Sequence, residues 1–557
     1  MSPDAARNRR GLKFLGSLVA ALLAIWLVAE PSFDRAQVAV LFLLAFSVGL
    51  WITEAVPPFS VGLFIIGYLA FALGSPLFTD DPQDIRTYAN TFSSSVVWLM
   101  MGGFFLAKAM TRTKLDEDVI RLTLKMCGDH PRRVLFGLMM ITMVFSMLIS
   151  NTATTAMVVA ALTPLLARLG KGSPVAKGLI LGIPIAATTG GMATILGSPP
   201  NAIAVGALAA RGESIGFLDW VAYGLPLALF LTLLAWRILV RTYMKDAPRV
   251  AVEAPPGAGD LPPDFRRQRL TVLVILALTL ALWLTGPLHG LGATAVSVIP
   301  LVLLPMTGIL RGEDVRSIGW DTLLLVAGGL ALGAALEQTG LLDLYAGRIA
   351  SLGVPPLAFY ALLAYATMLL SNVMSNTATS AVFIPLGMSI LPAHPVEVCM
   401  VIGLSASTAL FLPVSTPPNA IAYSTGLIEQ RDFRLGGMLV GVLGPALIIA
   451  WVLAVGAMFQ AGDAGIAASL AGVSRSASGI AGGCARRGTR RVRGPGPRRP
   501  SRALSRVVGA APGPPSRSPR GRWGRPVARC GHRRSGPGCL LSARLRRVWP
   551  STCSRRR

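Results

Sequence analysis

Residues 147–160 read MLISNTATTAMVVA, and residues 373–386 read VMSNTATSAVFIPL. Both set Ser-Asn-Thr-Ala-Thr in strongly apolar surroundings, where an unpartnered polar group costs on the order of several kcal/mol. The two Ser-Asn-Thr triplets stand 225 positions apart, at Ser150-Asn151-Thr152 and Ser375-Asn376-Thr377. A costly pentapeptide carried twice asks for a shared purpose, and the rest of the chain supplies the frame for one.

The 557 residues are 53% hydrophobic and 14% charged, with a mean hydropathy of +0.60. A soluble domain of this length is more polar. Apolar stretches recur from about Leu12 to about Gln460, many of them reaching the roughly 20 helical residues needed to cross a bilayer. They lack the alternation of a β-barrel. The fold class is therefore an all-α polytopic membrane protein of about 11 transmembrane helices. A signal peptide is the competing reading of the first run, Phe14 to Ala29, but no clean small-residue cleavage site follows it.

Net charge is +26. Residues 471–557 alone carry 23 Arg and no Lys, Asp or Glu, so the remainder holds 29 basic residues (52 less 23) against 26 acidic ones. The basic excess belongs to the tail. Rich in Gly, Pro, Ser and Ala and without hydrophobic periodicity, 461–557 is expected to be disordered. It reads either as an arm for anionic lipid or nucleic acid, or as a non-native extension such as a shifted frame in a GC-rich gene. Arginine without lysine favours the second, and no nucleic-acid partner is expected. Cys127 and Cys399 are isolated, and the four tail cysteines lack zinc-ligand spacing.

Spans are expected near 14–30, 36–55, 59–75, 95–110, 135–168, 175–210 and 220–240. A second set lies near 270–286, 292–310, 320–339, 357–391, 396–428 and 435–459. The segment 76–90 is acidic, whereas 111–133 carries six basic residues. The positive-inside rule puts the N-terminus and 111–133 in the cytoplasm and 76–90 outside. The C-terminus then falls outside, in the inner (plasma) membrane of a bacterial-type cell. The chain divides into 1–35 with the first helix, a half at 36–240, a cytoplasmic linker at 241–269, a half at 270–460, and the tail.

The halves correspond. Gly102-Gly103 matches Gly328-Gly329 at an offset of 226, Ser-Asn-Thr recurs at 225, and Pro199-Pro200-Asn201 matches Pro417-Pro418-Asn419 at 218. Threading the spans alternately gives the second half the opposite orientation, so inverted repeats are predicted. Interrupted segments in matching places of two such halves point to a secondary transporter with a midplane site. Each Ser-Asn-Thr lies within some 34 residues of apolar chain, enough for one tilted span or for a re-entrant hairpin with the triplet at its tip. Asn and Thr offer oxygens to a cation and N–H or O–H donors to an anion. Bonding between helices is the plain alternative, and two copies in register speak for a site. Each Pro-Pro breaks its segment. Beyond the break, helix N-termini attract anions. Before it, Gly197 and Ser415 leave carbonyls suited to Na⁺.

Paired Ser-Asn-Thr triplets together with Ser198-Pro199-Pro200-Asn201 and Thr416-Pro417-Pro418-Asn419 resemble the divalent anion:sodium symporter (DASS) family, the dicarboxylate and citrate carriers. Residues 51–58, WITEAVPP, add to the likeness, which covers about 10–460. The resemblance implies a re-entrant hairpin and a broken helix in each half, a mobile transport domain, a homodimeric scaffold and elevator motion. It implies that Ser150, Asn151, Thr152, Ser375, Asn376 and Thr377 hold the substrate carboxylates, with Ser198, Pro199, Thr416 and Pro417 lining the pocket. One co-transported Na⁺ would sit among Ser146, Ser150, Asn151 and Gly197, a second among Ser371, Met374, Asn376 and Ser415. Neither motif contains Lys or Arg, so a dianion needs compensation from bound Na⁺ and helix N-termini.

The expected function is Na⁺-coupled symport of C4-dicarboxylates such as succinate, malate or fumarate. A Na⁺-independent exchanger, or a sulfate or citrate carrier, is the alternative within transport. An intramembrane enzyme would need a nucleophile and base or a metal cluster in the spans, and the sequence displays none. Glu54 and Glu337 read as capping or pairing acids rather than proton relays, Lys108 as a snorkelling residue, and the glycine pairs as close-packing sites. Deleting 471–557 is expected to leave uptake intact; lost uptake with normal membrane expression, scored by radiolabelled substrate, would give the tail a role.

Overall fold

The computed structural model describes residues 3–76, 79–245, 247–249, 263–350 and 353–459. The tail at 461–557 and linker residues 246 and 250–262 lie outside them. No strand occurs among the described residues. Helix α1 is Pro3–Val28. Nine helices follow: α2 Arg35–Thr53, α3 Pro58–Ala72, α4 Ser95–Arg112, α5 Leu115–Cys127 and α6 Pro131–Ser146; then α7 Asn151–Leu169, α8 Pro174–Gly191, α9 Pro199–Ala210 and α10 Phe217–Tyr243. The same order then recurs. It runs α11 Pro263–Leu284, α12 Ala293–Met306, α13 Trp320–Gln338, α14 Leu341–Ala350 and α15 Pro356–Ser371, then α16 Asn376–Ile390, α17 Pro395–Ala406, α18 Pro417–Ser424 and α19 Gln430–Phe459. Eight helices among the described residues are long and apolar enough to cross a membrane, and α3, α9, α12, α15 and α17 are shorter apolar helices.

Local chemistry sets the boundaries. Ser150 Oγ accepts from Ala153 N–H and Ser375 Oγ from Ala378 N–H, so the serine of each triplet is an N-cap. Prolines open α6, α8, α9, α15, α17 and α18, where a missing N–H costs nothing. The Pro-Pro pairs therefore start the second helix of each broken segment, and the irregular stretches precede them at 192–198 and 407–416. Glu54 closes α2 in a left-handed conformation (φ 49°), in keeping with a capping role.

Both Ser-Asn-Thr segments turn back on themselves. A Cβ at Gly182 would meet Leu135 and Met139, and one at Gly190 would meet Met143, so α6 runs parallel to α8. The short link at 170–173 returns α7 antiparallel to α8. In the second half, a Cβ at Gly387 would meet Leu363, Val398 and Ile402, while Asn372 lies against Phe411 and Ser415 beyond the end of α17. Helix α15 is thus parallel to α17, with α16 antiparallel. Of the two geometries the sequence allows, the structure takes the hairpin. Helix α8 is buried around almost its whole circumference, as a helix apolar on every side must be.

The halves interlock through glycine. A Cβ at Gly62 would lie 2.7 Å from Leu324 O, and one at Gly328 would strike the Gly62 Cα. The exchanged pair repeats the theme: a Cβ at Gly102 would lie 2.7 Å from the Ser297 Cβ. So α3 seats on α13 and α12 on α4, each half lending its second partner to the other. These glycines permit backbone approach where dispersion drives helix association. Arg211, at the end of α9, donates to Glu337 Oε1 (3.0 Å), Met388 O (2.9 Å) and Ser389 Oγ (3.3 Å), giving Glu337 the pairing role the sequence suggests.

The basic segment 111–133 holds a helix where only a charged loop is predicted. Helix α5 buries Leu115, Ile120 and Leu124 together with Asp116 and exposes Glu117 and Lys125, and Asp118 pairs with both Arg121 and Arg269. Gly328→Val is expected to destabilise the folded protein by about 1–3 kcal/mol or more, because neither backbone can retreat. Thermal unfolding of purified protein in detergent measures the shift.

Candidate functional site

Each broken segment is held open by the asparagine that follows its prolines. Asn201, fully buried, donates from Nδ2 to Thr194 O (2.7 Å) and Gly191 O (2.8 Å). Asn419 donates to Leu412 O (2.9 Å), and Leu412 stands 218 positions beyond Thr194, the offset of the prolines themselves. The loops therefore keep their shape by the same bond in both halves. Thr194 Oγ1 also donates to Met147 O at the first hairpin tip and accepts from Gly197 N–H.

The first tip gathers oxygen. Ser146 Oγ lies 2.6 Å from the Asn151 amide. With Oδ1 on that side, the amide oxygen faces the carbonyls of Ala187 and Gly197. Turned over, its NH₂ donates to Ala187 O (3.0 Å), Gly197 O (3.2 Å) and Ser146 Oγ. The spot has two solutions: the Asn151 amide hydrogens satisfy its acceptors in the second orientation, and in the first a small cation can be held by the four oxygens. Glycine is required around it, since a Cβ at Gly191 would lie 2.5 Å from Asn151 Oδ1 and one at Gly197 would lie 2.8 Å from Ser146 O. Of the residues assigned to the first cation, Ser146, Asn151 and Gly197 meet directly, whereas the Ser150 hydroxyl is engaged in capping α7.

The second tip differs. Ser371 Oγ and Asn376 Oδ1 are buried and without a hydrogen-bond partner, so both are free to ligate. Met374 is buried, and its N–H is bonded to Leu370 O. The Ser415 hydroxyl donates instead to Asn372 Oδ1 (2.7 Å), which also accepts from Phe411 N–H (3.0 Å). Asn372 is a site-building residue that the sequence reading passes over. Its counterpart 225 positions earlier is Met147, so no repeat points to it.

Around these centres, Ser198 and Thr416 are the N-cap residues of α9 and α18. Thr377 is buried, Pro199 half-buried, and Thr152 and Pro417 exposed. Helix α7 packs on α18, and α16 on α9, so each tip helix lies against the broken helix of the other half. Helices α7 and α16 present free N–H groups at their first turns, beginning at Asn151 and Asn376, whereas α9 and α18 open on two prolines and their Asn201 and Asn419 N–H groups are already bonded, so these two contribute the positive ends of their dipoles. An anion can be held there without a basic side chain. A cavity of about 540 Å³ lies elsewhere, between Ser94, Ile203, Arg211, Gly329 and Glu337, and none of the assigned site residues lines it.

Oxygen-lined hairpin tips and clamped helix breaks in an all-α membrane protein define a secondary transporter, not an enzyme. The sequence profile described as "citrate transporter" matches residues 24–397 and 288–512. The chain belongs to this citrate transporter family, in accord with the resemblance to dicarboxylate and citrate carriers. It is 28% identical over 430 residues to a Caenorhabditis elegans protein named sodium-dependent high-affinity dicarboxylate transporter 3, covering 66% of this chain and 75% of that one. To the Staphylococcus saprophyticus sodium-dependent dicarboxylate transporter SdcS it is 28% identical over 439 residues, covering 72% and 82%. The Alcanivorax borkumensis YdaH transporter crystal structure superposes with a TM-score of 0.47 at 15% identity, over 73% of this chain and 99% of that one.

Asn201→Ala removes the amide that bridges Gly191 O and Thr194 O, leaving Thr194 O only its bond from Gly197 N–H, and is expected to cost about 1–3 kcal/mol. Thermal unfolding in detergent checks it, and Asn201→Asp, which cannot donate when ionised, is expected to fare no better.

Proposed function

We propose that the chain imports C4-dicarboxylates such as succinate, malate or fumarate in symport with Na⁺. The observation that carries this reading is the oxygen cluster at Ser146, Asn151 and Gly197, which a small cation can occupy when the Asn151 amide oxygen faces it. The orphaned Ser371 and Asn376 oxygens support a second Na⁺ there, with Met374 and Ser415 contributing backbone oxygens. The substrate carboxylates are held by Ser150, Asn151, Thr152, Ser375, Asn376 and Thr377, with Ser198, Pro199, Thr416 and Pro417 lining the pocket. Bound Na⁺ and the four helix N-termini balance the dianion, so cation binding precedes or accompanies substrate binding. The names of the C. elegans and Staphylococcus relatives accord with both Na⁺ and dicarboxylate.

The same reading makes 36–240 and 270–460 inverted repeats, joined by a cytoplasmic linker at 241–269. In it the hairpins and broken helices form a body that moves as an elevator against a homodimeric scaffold. The protein sits in the plasma membrane with its N-terminus cytoplasmic and C-terminus outside. Radiolabelled succinate uptake into proteoliposomes with Na⁺, K⁺ or choline outside tests the proposal. Uptake is expected only with Na⁺, and Asn151→Ala and Asn376→Ala are each expected to reduce it at least tenfold. Counterflow that ignores Na⁺ would make the protein an exchanger, and indifference to both substitutions would move the site.

A further inference from the structure

Below the second tip, four hydroxyls are buried with nothing to bond. Thr367, Ser371, Ser380 and Ser405 are each fully buried, and their side-chain oxygens have no hydrogen-bond partner. Buried hydroxyls in helices ordinarily donate to the carbonyl four residues back. In this protein Thr142, Thr189, Thr232 and Thr279 all do so. Four failures in one place, at about 1–3 kcal/mol for each unsatisfied group, call for an occupant.

The helix packing places the four together. Leu363, Gly387, Val398 and Ile402 mark where α15, α16 and α17 meet. Thr367 and Ser371 continue the Leu363 stripe toward the tip at four-residue spacing. Ser380 lies seven residues from Gly387, and Ser405 lies seven from Val398, which keeps each on the inner face of its helix. At roughly 1.5 Å of rise per residue, all four fall within about two helical turns beyond the junction. Ser371 and Ser405 also stand in the last turns of α15 and α17, where helix dipoles favour a cation.

The first half lacks this arrangement. At the matching offsets stand Thr142, whose hydroxyl is bonded to Leu138 O, and Ser146, which is bonded to Asn151. Thr154, Thr155 and Thr188 remain unpartnered there, but with Thr142 and Ser146 engaged no set of four free hydroxyls matches, and Ala187, with no hydroxyl, stands opposite Ser405. We infer that Thr367, Ser371, Ser380 and Ser405 form a further Na⁺ site, deeper in the second half than the tip and touching the second tip site through Ser371. The inference rests on the Na⁺-symport reading. Hydroxyl oxygens suit a small hard monovalent cation, and among the described residues no group of acidic, His or Cys side chains there suits a divalent one.

Purified full-length protein is melted in detergent over a Na⁺ series without substrate, with choline holding ionic strength constant. Na⁺ dependence of succinate uptake is measured in parallel. Ser405→Ala, which copies Ala187, and Ser380→Ala are each expected to raise the half-saturating Na⁺ about tenfold and lower the Hill slope by about one. Ser405→Thr, which keeps the hydroxyl, is expected to restore both. A wild type that Na⁺ neither stabilises nor drives would end the symport reading itself. A Na⁺-responsive wild type with unchanged midpoint and slope in both alanine variants would end this inference alone, leaving water as the occupant of the hydroxyl cluster.

Discussion

Irregular backbone at membrane depth survives only if protein or water satisfies its amides and carbonyls. In this chain that duty falls on two carboxamides. Asn201 and Asn419 hold the loops at 192–198 and 407–416 by bonding to carbonyls in the same relative place. With the loops fixed, the hairpin tips gain something to rest on: Met147 meets Thr194, and Asn372 meets Phe411 and Ser415. The oxygen groups at both tips are positioned by those rests. The prolines contribute by denying the loops any helical alternative.

The two halves share a plan and differ in chemistry. In the first, Asn151 reaches into the oxygen cluster itself, and glycines at 191 and 197 let it approach. In the second, Asn372 secures the loop, so Asn376 Oδ1 and the hydroxyls behind it are left without partners. Duplicated architecture therefore does not imply two equal sites.

Much of the site was legible because its residues are out of place in lipid. Ser150-Asn151-Thr152 and Pro199-Pro200-Asn201 stand out against apolar neighbours, and their repetition at nearly one offset marks them as a matched set. Gly102 and Gly328 were readable as contact points, although which helices they meet was not. Asn372 escaped notice because its counterpart is Met147, so repetition was silent. Helix α5 is hard to read from sequence because charged residues dominate the composition of 111–133, while its buried apolar residues are only Leu115, Ile120 and Leu124. The hairpins are not fixed by sequence, since length alone does not say whether 34 residues tilt or turn.

The seating of α3 on α13 has a bearing on how the molecule is made. Gly62 emerges from the ribosome some 266 residues ahead of Gly328, roughly 13–53 s at ordinary elongation rates. Throughout that interval the first half has its glycine face bare, and α7 and α9 have yet to meet α18 and α16. Biogenesis must therefore shelter a half-built molecule beside the translocon, and a stalled message would release a fragment unable to close its own core.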